Sequence, residues 1–288
     1  MIPAGLTGEG AAMSDSDTGY RVGTGFGDDI ARLELMGKVL APATRMIFAE
    51  AGLRPGMRVL DLGCGPGDST FVAADLVGPG GSVVGVDHSP DALARARYRA
   101  AQRGLAQVQF IEGDIHDPAP GGPYDAIVEQ MALWQLPDPA EVLRRQATVL
   151  RPGGLVVAVE IDGTTTRWLP ESALGNQWFC WGAEASARAG IALTFGQRLW
   201  AVAEEAGLRP QGMIGVQSHF GPGDEDGLAY LVQTRRVMEP LLVGTGVATA
   251  EEIGVETFEQ RVRDEWERTR VVIAQPTLLS VWATTGAE

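Results

Sequence analysis

The stretch VLDLGCGPGDST, residues 59–70, combines three glycines at alternate positions with an acidic residue before them and a cysteine among them. The dinucleotide fingerprint G-x-G-x-x-G needs its third glycine at position 68. This chain has Asp68 there and Gly67 instead, so an acidic side chain would stand where a pyrophosphate binds and would repel it. No Lys-Ser or Lys-Thr pair follows, which excludes the P-loop. The loop therefore favours a ligand other than a dinucleotide phosphate.

Acidic residues follow three successive apolar runs that begin at this loop. Asp61 ends the first run, where a carboxylate suits an ammonium or a sulfonium group. Asp87 ends the second, about 20 residues past the glycines, where an acid can accept both hydroxyls of a ribose. Asp114 ends the third, where the amino group of a purine could be recognised. Together the three acids predict a site for a cationic nucleoside.

The elements that must position these residues are read from the hydrophobic pattern. Apolar residues at helical spacing predict a helix over residues 28–51. Between residues 54 and 162, helices of ten or more residues alternate with five buried strands, MRVLDLG, SVVGVD, VQFIEGD, YDAIVEQM and LVVAVEID. This alternation predicts an α/β fold with a doubly wound, mostly parallel sheet, in which ligands bind outside the carboxyl ends of the strands.

The rest of the chain predicts insertions around that core. We expect a strand at 211–220, a last strand near the C-terminus, and the following division: a leader and cofactor lid (1–27), the core (28–162), a cap insertion (163–193), a core helix and strand (194–222), a helical cap insertion (223–270) and a final core strand (271–288). If the last strand runs antiparallel beside the sixth, both insertions begin at the carboxyl edge and cover the ligand.

Composition excludes several classes of partner. The net charge is −14, which works against a nucleic acid or an anionic membrane surface. No run of 18 apolar residues predicts a membrane span, and the start lacks the regions of a secretory signal. The two cysteines, Cys64 and Cys180, are far apart, so no metal and no disulfide framework are expected. A cytoplasmic location fits best, and a homodimer stays open.

Five segments in this order resemble the motifs of the class I S-adenosylmethionine-dependent methyltransferases. They are VLDLGCGPG, VVGVDHS, FIEGDIHD, YDAIVEQMALWQLPDP and LRPGGLVVAVE, and the match covers residues 54–162. The chain is most similar to the small-molecule group that includes the ubiquinone/menaquinone type. The resemblance implies a Rossmann-like sheet of seven strands, S-adenosylmethionine as cofactor, S-adenosylhomocysteine as product and a small-molecule acceptor.

The resemblance also implies cofactor contacts along the first two strands. The backbone at three glycines would approach the methionine portion of the cofactor: Gly63, Gly65 and Gly67. Asp61 would lie near its amino group. Asp87 would bind the ribose hydroxyls, with His88 beside the adenine.

Further contacts are implied at the next two strand ends and before the first helix. Asp114 and Ile115 would flank the adenine ring and its amino group. Glu129 and Gln130 would contact the methionine end of the cofactor. Tyr20 would close over it, although the N-terminal region of the family is variable.

The acceptor side is less defined. The family often has a His or aromatic pair before LPDP, so Trp134 is a candidate ring facing the substrate. Trp178 and Trp181 would either line an apolar acceptor pocket or attach the cap to the core. His219 and Glu160 are the candidate general bases, against the alternatives of a strand-end histidine and a buried, hydrogen-bonded carboxylate; His219 is also a candidate contact to the substrate.

Four functions compete. The favoured one is methylation of an oxygen or a carbon of a small hydrophobic or aromatic acceptor by in-line displacement. A second keeps the fold and the cofactor for a cyclisation or rearrangement without methyl transfer. A nicotinamide-dependent oxidoreductase is disfavoured by Asp68 and by the absence of a Tyr-x-x-x-Lys pair. A binding protein without enzymatic activity is the remaining class.

Overall fold

The computed structural model describes residues 26–286, so Tyr20 and the rest of the predicted leader lie outside the described residues. The predicted first helix is present as α1 (Phe26–Ala51). Ile47 and Phe48 near its C-terminal end are fully buried and pack on the sheet. The apolar spacing of this helix therefore reflects one face turned toward the core.

Strands and helices then alternate as the hydrophobic pattern predicts. The elements of the core are β1 (Arg58–Leu62), α2 (Asp68–Val77), β2 (Ser82–Asp87), α3 (Pro90–Gln102), β3 (Val108–Glu112), β4 (Tyr124–Gln130), α4 (Pro139–Ala147) and β5 (Leu150–Asp162). After the first insertion they continue with α6 (Leu199–Glu205), β7 (Arg209–Val216) and β10 (Thr277–Thr284). Helix α3 begins as predicted, with Ser89 accepting a hydrogen bond from the Ala92 N–H and Pro90 in the first turn.

The core sheet has seven strands in the order β3-β2-β1-β4-β5-β10-β7. Strand β10 runs antiparallel to both of its neighbours, whereas the pairs from β3 to β5 are parallel. The predicted doubly wound, mostly parallel fold is confirmed. The carboxyl ends of β1, β2, β3, β4 and β5 meet at one edge, where the predicted site residues lie.

Both faces of the sheet are covered. Val59 and Val128 pack on one face with α1 and α2, and Leu60 and Ile127 pack on the other with α4 and α6. Neighbouring residues of a strand thus belong to different layers, as the pleat requires. No helix among residues 26–286 has the length and apolarity that a membrane span needs.

A second, smaller sheet stands at the carboxyl edge. Its strands are β6 (Arg167–Leu169), β8 (His219–Phe220) and β9 (Val272–Ala274), in the antiparallel order β6-β9-β8. None of its three strands was expected. Residues 167–169 were predicted only as part of the cap insertion, the strand predicted for 211–220 breaks after Val216, and the C-terminal segment holds β9 as well as β10. The break occurs where Gln217 turns its side-chain amide to the backbone carbonyls of Thr165 and Gln275.

The remaining helices pack beside this sheet, and together with it they form what we call the cap. They are α5 (Ala173–Arg188), α7 (Glu225–Gly244), α8 (Ala250–Ile253) and α9 (Val255–Thr269). Helix α7 packs along α1, α5 and α9. Phe220, Leu228, Phe258 and Ile273 join the small sheet to these helices in one buried cluster.

Arg235 of α7 is the largest fully buried side chain of the described residues. Its Nε and Nη2 donate to the Ile253 carbonyl at 3.0 and 2.5 Å, and Nη1 has no partner. The guanidinium carbon lies 4.1 Å from the ring centre of Phe258 and 4.8 Å from that of Trp178. Desolvation lowers the pKa of Arg235 to about 10. The cap is therefore organised around a buried cation and aromatic rings.

Replacing Arg235 by Ala should lower the free energy of unfolding by about 3 kcal/mol, because a cavity opens and a buried carbonyl loses its donors. Urea unfolding measures this loss. Arg236→Ala is the matched control: Arg236 is exposed, its ion pair with Glu256 spans 3.7 Å, and its loss should cost less than about 0.5 kcal/mol. Equal losses in the two variants would contradict the assignment.

Candidate active site

The glycine loop connects β1 to α2, and its three glycines have φ angles of +65° (Gly63), +51° (Gly65) and +95° (Gly67). These angles lie in the left-handed region that favours glycine. A Cβ on Gly67 would be 2.9 Å from Cζ of Phe71, whereas a Cβ on Gly65 would meet nothing within 4 Å. Gly67 therefore serves packing, and Gly65 faces open space that a ligand can enter.

Cys64 of the same loop is a packing residue. It is buried with Phe71, Leu93 and Phe110, and burial raises its pKa well above the usual thiol range. A buried thiol of this kind is not a nucleophile at neutral pH.

The carboxylate of Asp68 is paired, whereas the argument against a dinucleotide loop treats it as a free anion. Arg99 of α3 donates to its two carboxylate oxygens at 2.6 and 3.1 Å. The side chain also lies against α1, since a Cβ on Gly37 would be only 2.1 Å from Cγ of Asp68. The charge repulsion expected at this position is therefore offset by an ion pair. The missing glycine at position 68 still separates this loop from the fingerprint.

Asp61 lies at the carboxyl end of β1 and is fully buried. Its Oδ2 accepts hydrogen bonds from Ser69 at 2.7 Å and Thr70 at 2.5 Å, while Oδ1 has no partner. Burial, the largest cause, raises the pKa of Asp61 to about 7. An ammonium group placed at Oδ1 would satisfy this oxygen and hold the carboxylate ionised, which fits the expected cofactor.

Asp87 fastens the glycine loop to the end of β2. Its Oδ2 accepts from the Gly65 N–H and its Oδ1 from the Ser89 N–H, both at 2.9 Å. The side chain remains 11% exposed, so it can accept further hydrogen bonds at the carboxyl edge. His88 is exposed beside it, with its Nδ1 3.6 Å from Asp87 Oδ1.

The segment after β3 brings an exposed acid next to an anchored backbone. Asp114 Oδ1 lies 2.7 Å from His116 Nδ1 and also accepts from the His116 N–H, and these hydrogen bonds lower the pKa of Asp114. The Ile115 carbonyl accepts from Gln146 Nε2 at 2.6 Å. Asp114 and Ile115 therefore lie at the carboxyl edge just after β3, where the sequence predicts them.

Glu129 and Gln130 at the end of β4 point to opposite faces of the sheet. Gln130 Oε1 accepts from Thr44 of α1 at 3.0 Å. Glu129 is fully buried, and its Oε1 accepts from the N–H groups of Ala132 at 2.6 Å and Leu133 at 3.1 Å. In this arrangement Gln130 faces the α1 layer, and Glu129 holds the turn that follows β4.

Glu160 of β5 is also fully buried, with Oε1 accepting from the Trp134 N–H at 3.0 Å. Burial and the neighbouring Glu129 raise its pKa well above the usual range. The ring of Trp134 is half-buried, and its Nε1 donates to the Met131 carbonyl at 3.1 Å. Glu160 and Trp134, both predicted for the acceptor side, thus lie in direct contact.

The cap residues predicted to meet the acceptor are placed apart from this turn. Trp178 and Trp181 of α5 are half-buried and pack around Arg235. His219 belongs to β8 of the small sheet, not to the core strand, because the core strand ends at Val216. Its side chain is exposed, and its Nδ1 lies 3.2 Å from the Gln217 carbonyl.

Four residues that shape the site or the cap were not predicted from the sequence: Thr44, Met131, Gln217 and Arg235. Their roles depend on partners that are 18 or more residues away or on backbone conformation, as for Met131, whose φ is +60°. The sequence gives no signal for Arg235 either, because it stands beside Arg236, which is exposed.

A family model described as "Methyltransferase domain" matches residues 53–197, half of the chain. A nocamycin O-methyltransferase from Saccharothrix syringae is 40% identical over 116 residues, which cover 40% of this chain and 41% of that protein. A ubiquinone/menaquinone biosynthesis C-methyltransferase from Ectopseudomonas mendocina (strain ymp) is 32% identical over 157 residues, or 52% of this chain and 61% of that protein. The matched region thus spans about half the length of these relatives.

Among solved structures, the cyclase SpnF shares the fold with a TM-score of 0.51 at 19% identity, over 86% of this chain and 82% of that one. Its likeness shows the fold alone. The motifs, the sheet order and the family match converge: this chain belongs to the class I S-adenosylmethionine-dependent methyltransferases, whose cofactor is S-adenosylmethionine.

Proposed function

We propose that this protein transfers a methyl group from S-adenosylmethionine to an oxygen or a carbon of a small hydrophobic or aromatic acceptor. One observation carries the proposal: the open glycine loop follows a buried acid, Asp61, whose Oδ1 lacks any partner. A buried acceptor without a partner is costly unless a ligand satisfies it. The ammonium of the cofactor has the charge and the donors to do so.

The cofactor supplies an activated methyl group on a sulfonium, so the task of the chain is to orient it and exclude water. We assign the ammonium to Asp61, the ribose hydroxyls to Asp87 and the close backbone approach to Gly63 and Gly65.

The base of the adenine is assigned to Asp114 and Ile115, with His88 beside it, and the methionine end also to Gln130. The position of these residues at one sheet edge supports the assignment. The predicted contact of Glu129 with the methionine end stays a prediction, because Glu129 is fully buried and holds the turn after β4. The contact of Tyr20 stays a prediction.

The acceptor is assigned to the space between the turn after β4 and the cap, with Trp134, Trp178, Trp181 and His219 as the candidate contacts. Displacement from a sulfonium needs a general base only when the acceptor is weakly acidic. His219 and Glu160 are the candidates; the exposure of His219 favours it, because Glu160 is buried in the present conformation. His219→Asn should slow transfer to a hydroxyl acceptor and leave S-adenosylhomocysteine affinity unchanged.

The experiment that tests the function measures cofactor binding first and transfer second. S-adenosylhomocysteine at 100 times its Kd should raise the free energy of unfolding by about 2.7 kcal/mol. With methyl-labelled S-adenosylmethionine, the label should leave the cofactor only when an acceptor is present. No binding of either ligand at millimolar concentration would reject the proposal.

A second candidate keeps the cofactor as a bound electrostatic element for a cyclisation or rearrangement. This second candidate is supported by the fold that the chain shares with the cyclase SpnF. Labelled cofactor separates the two, because in a non-transfer reaction the label stays on the cofactor through many turnovers.

Replacing Gly65 by Ala should weaken S-adenosylhomocysteine binding at least tenfold while leaving the protein folded. The added methyl group enters open space, so it meets the ligand and not the protein; the left-handed backbone adds a stability cost of about 1 kcal/mol. Calorimetric titration and thermal unfolding measure the two effects. Gly80→Ala, also in open space but far from the loop, should change neither. Tight binding by Gly65→Ala would place the ligand elsewhere.

We also propose that the partners are limited to small molecules, since the charge of −14 disfavours nucleic acids and anionic membrane surfaces. The unpaired cysteines Cys64 and Cys180 fit a reducing cytoplasm. Light scattering in solution decides between a monomer and a homodimer.

A further inference from the structure

We propose that Glu129 and Glu160 share one proton and act together as a positioning pair, which fixes the turn of residues 131–135 between the cofactor loop and the acceptor. The inference rests on the proposed function, because only that function places the turn between a cofactor and an acceptor. It gives Glu160 a role other than that of a general base.

The two side chains project from neighbouring parallel strands onto the same face of the sheet. Ala158 of β5 is the register partner of Glu129, which places Glu160 one step farther along the same face. Neither residue is exposed to solvent. Each side chain lies within hydrogen-bonding contact of the other.

One oxygen of each acid is committed to the turn. Glu129 Oε1 accepts from the Ala132 and Leu133 N–H groups, and Glu160 Oε1 accepts from the Trp134 N–H. Three successive backbone donors are therefore held by two carboxyl groups. The two carboxyl groups thus fix the backbone of the turn. Neither Oε1 atom is free to bind an acceptor molecule.

The other two oxygens, Glu129 Oε2 and Glu160 Oε2, are buried and have no other partner. Two ionised carboxylates in contact within the interior would repel each other strongly, so a single proton between them is the stable state. Burial raises the pKa of Glu129 to about 7, and burial together with the neighbouring Glu129 raises the pKa of Glu160 well above its usual range.

Among residues 26–286, the charged groups that act on the pair include no compensating cation. Asp61 of β1 acts on Glu129, and it too is an acid. Asp162, two residues along β5, accepts from Gln197 Nε2 at 2.6 Å. Arg198 of the turn at Phe195–Arg198 is exposed. A shared proton is therefore the positive charge that reduces the repulsion between the two carboxyl groups.

The clamped turn needs such support because its backbone is strained. Met131 has a φ of +60°, a conformation that costs a non-glycine residue about 1 kcal/mol or more. Its carbonyl accepts the Trp134 indole N–H, so the ring direction of Trp134 follows from the shape of the turn.

The turn also touches the cofactor loop. A Cβ on Gly63 would be 2.7 Å from Cβ of Ala132, so residue 132 lies directly against the loop. Any movement of the turn would alter both the cofactor loop and the Trp134 ring. Loss of the shared proton should therefore displace Trp134.

Infrared spectroscopy and fluorescence test this on the whole protein. In Asp61→Asn protein, which removes the other buried acid that acts on Glu129, the carbonyl stretch of a protonated carboxyl group should persist at pH 6.5, where an ordinary glutamate is ionised, and be lost as the pH rises further. In the same background, Glu160→Gln should remove the band, because an amide N–H takes the place of the shared proton.

The fluorescence of Trp134, obtained as the difference between the protein and its Trp134→Phe variant, should change over the same pH range. In Glu160→Gln the Trp134 signal should become independent of pH. A merely structural role for Glu160 would leave the pH profile of this signal unchanged.

The inference is overturned by the absence of the carboxyl band at pH 6.5, or by a Trp134 signal that titrates equally in Glu160→Gln. Glu160→Leu, which can neither accept from Trp134 N–H nor hold a proton, should shift the signal at every pH. Calorimetric titration with S-adenosylhomocysteine is run separately on the unaltered protein, which retains Asp61. A failure to bind it would reject the proposed function without deciding the proton sharing.

Discussion

Asp87→Ala should weaken the binding of S-adenosylhomocysteine about 100-fold, or about 2.7 kcal/mol. Two effects add. The ribose hydroxyls lose a charged acceptor, and such hydrogen bonds are worth about 1.5–3 kcal/mol. The glycine loop also loses its tie to β2, because Asp87 accepts from the Gly65 and Ser89 N–H groups. Isothermal titration calorimetry measures the change, and circular dichroism checks that the protein stays folded.

Two further variants separate these effects. Asp87→Asn retains one acceptor oxygen for the loop and should lose about tenfold in affinity. Asp91→Ala removes an exposed acid at the start of α3, with the same change in net charge, and should bind like the unaltered protein. If Asp87→Ala bound within threefold of the unaltered protein, Asp87 would have to be removed from the site.

The free energy of unfolding should fall as the pH rises from 5 to 8. Asp61 and Glu129 have pKa values raised to about 7 in the folded protein, and burial also raises the pKa of Glu160 well above its usual range. The folded state therefore holds protons that the unfolded state has already released. Stability is full below the unfolded pKa values and is lost as the pH rises through the folded ones. Each such group contributes a slope of up to about 1.4 kcal/mol per pH unit.

Urea unfolding at several pH values measures this slope. Asp61→Asn removes one titrating group and should flatten the curve, while Glu267→Gln, an exposed glutamate of α9, should leave it unchanged. Saturating S-adenosylhomocysteine should flatten it as well, because the ammonium would stabilise ionised Asp61. A denaturation midpoint that rises between pH 5 and 7.5 would contradict the raised pKa values.

The core could be predicted because its signals are local. Buried strands, the Ser89 and Pro90 helix start and the spacing of the acids are each contained in a few consecutive residues. The sheet order then follows from alternation and from the short connections. The direction of the last strand was left open by the sequence, and β10 runs antiparallel to both of its neighbours.

What escaped prediction depends on partners that are distant in sequence. Asp68 looks like a free anion until Arg99, one helix later, is placed beside it. Glu129 and Glu160 resemble two separate strand-end acids, and only the register of β4 with β5 brings them together. His219 looked like the end of a core strand because no Gly or Pro separates it from Val216, whereas Gln217 bends the chain into another sheet.

The small sheet repeats the order of the strands beneath it. Each of its strands adjoins a core strand in sequence: β6 follows β5, β8 follows β7, and β9 precedes β10. The order β6-β9-β8 therefore copies the order β5-β10-β7. The small sheet of the cap thus continues three core strands beyond the carboxyl edge. The cap should therefore unfold in one cooperative transition with the core. Helices α7, α8 and α9 lie between β8 and β9 with no core strand among them. This helical segment could therefore be exchanged for another acceptor-binding segment with both sheets intact.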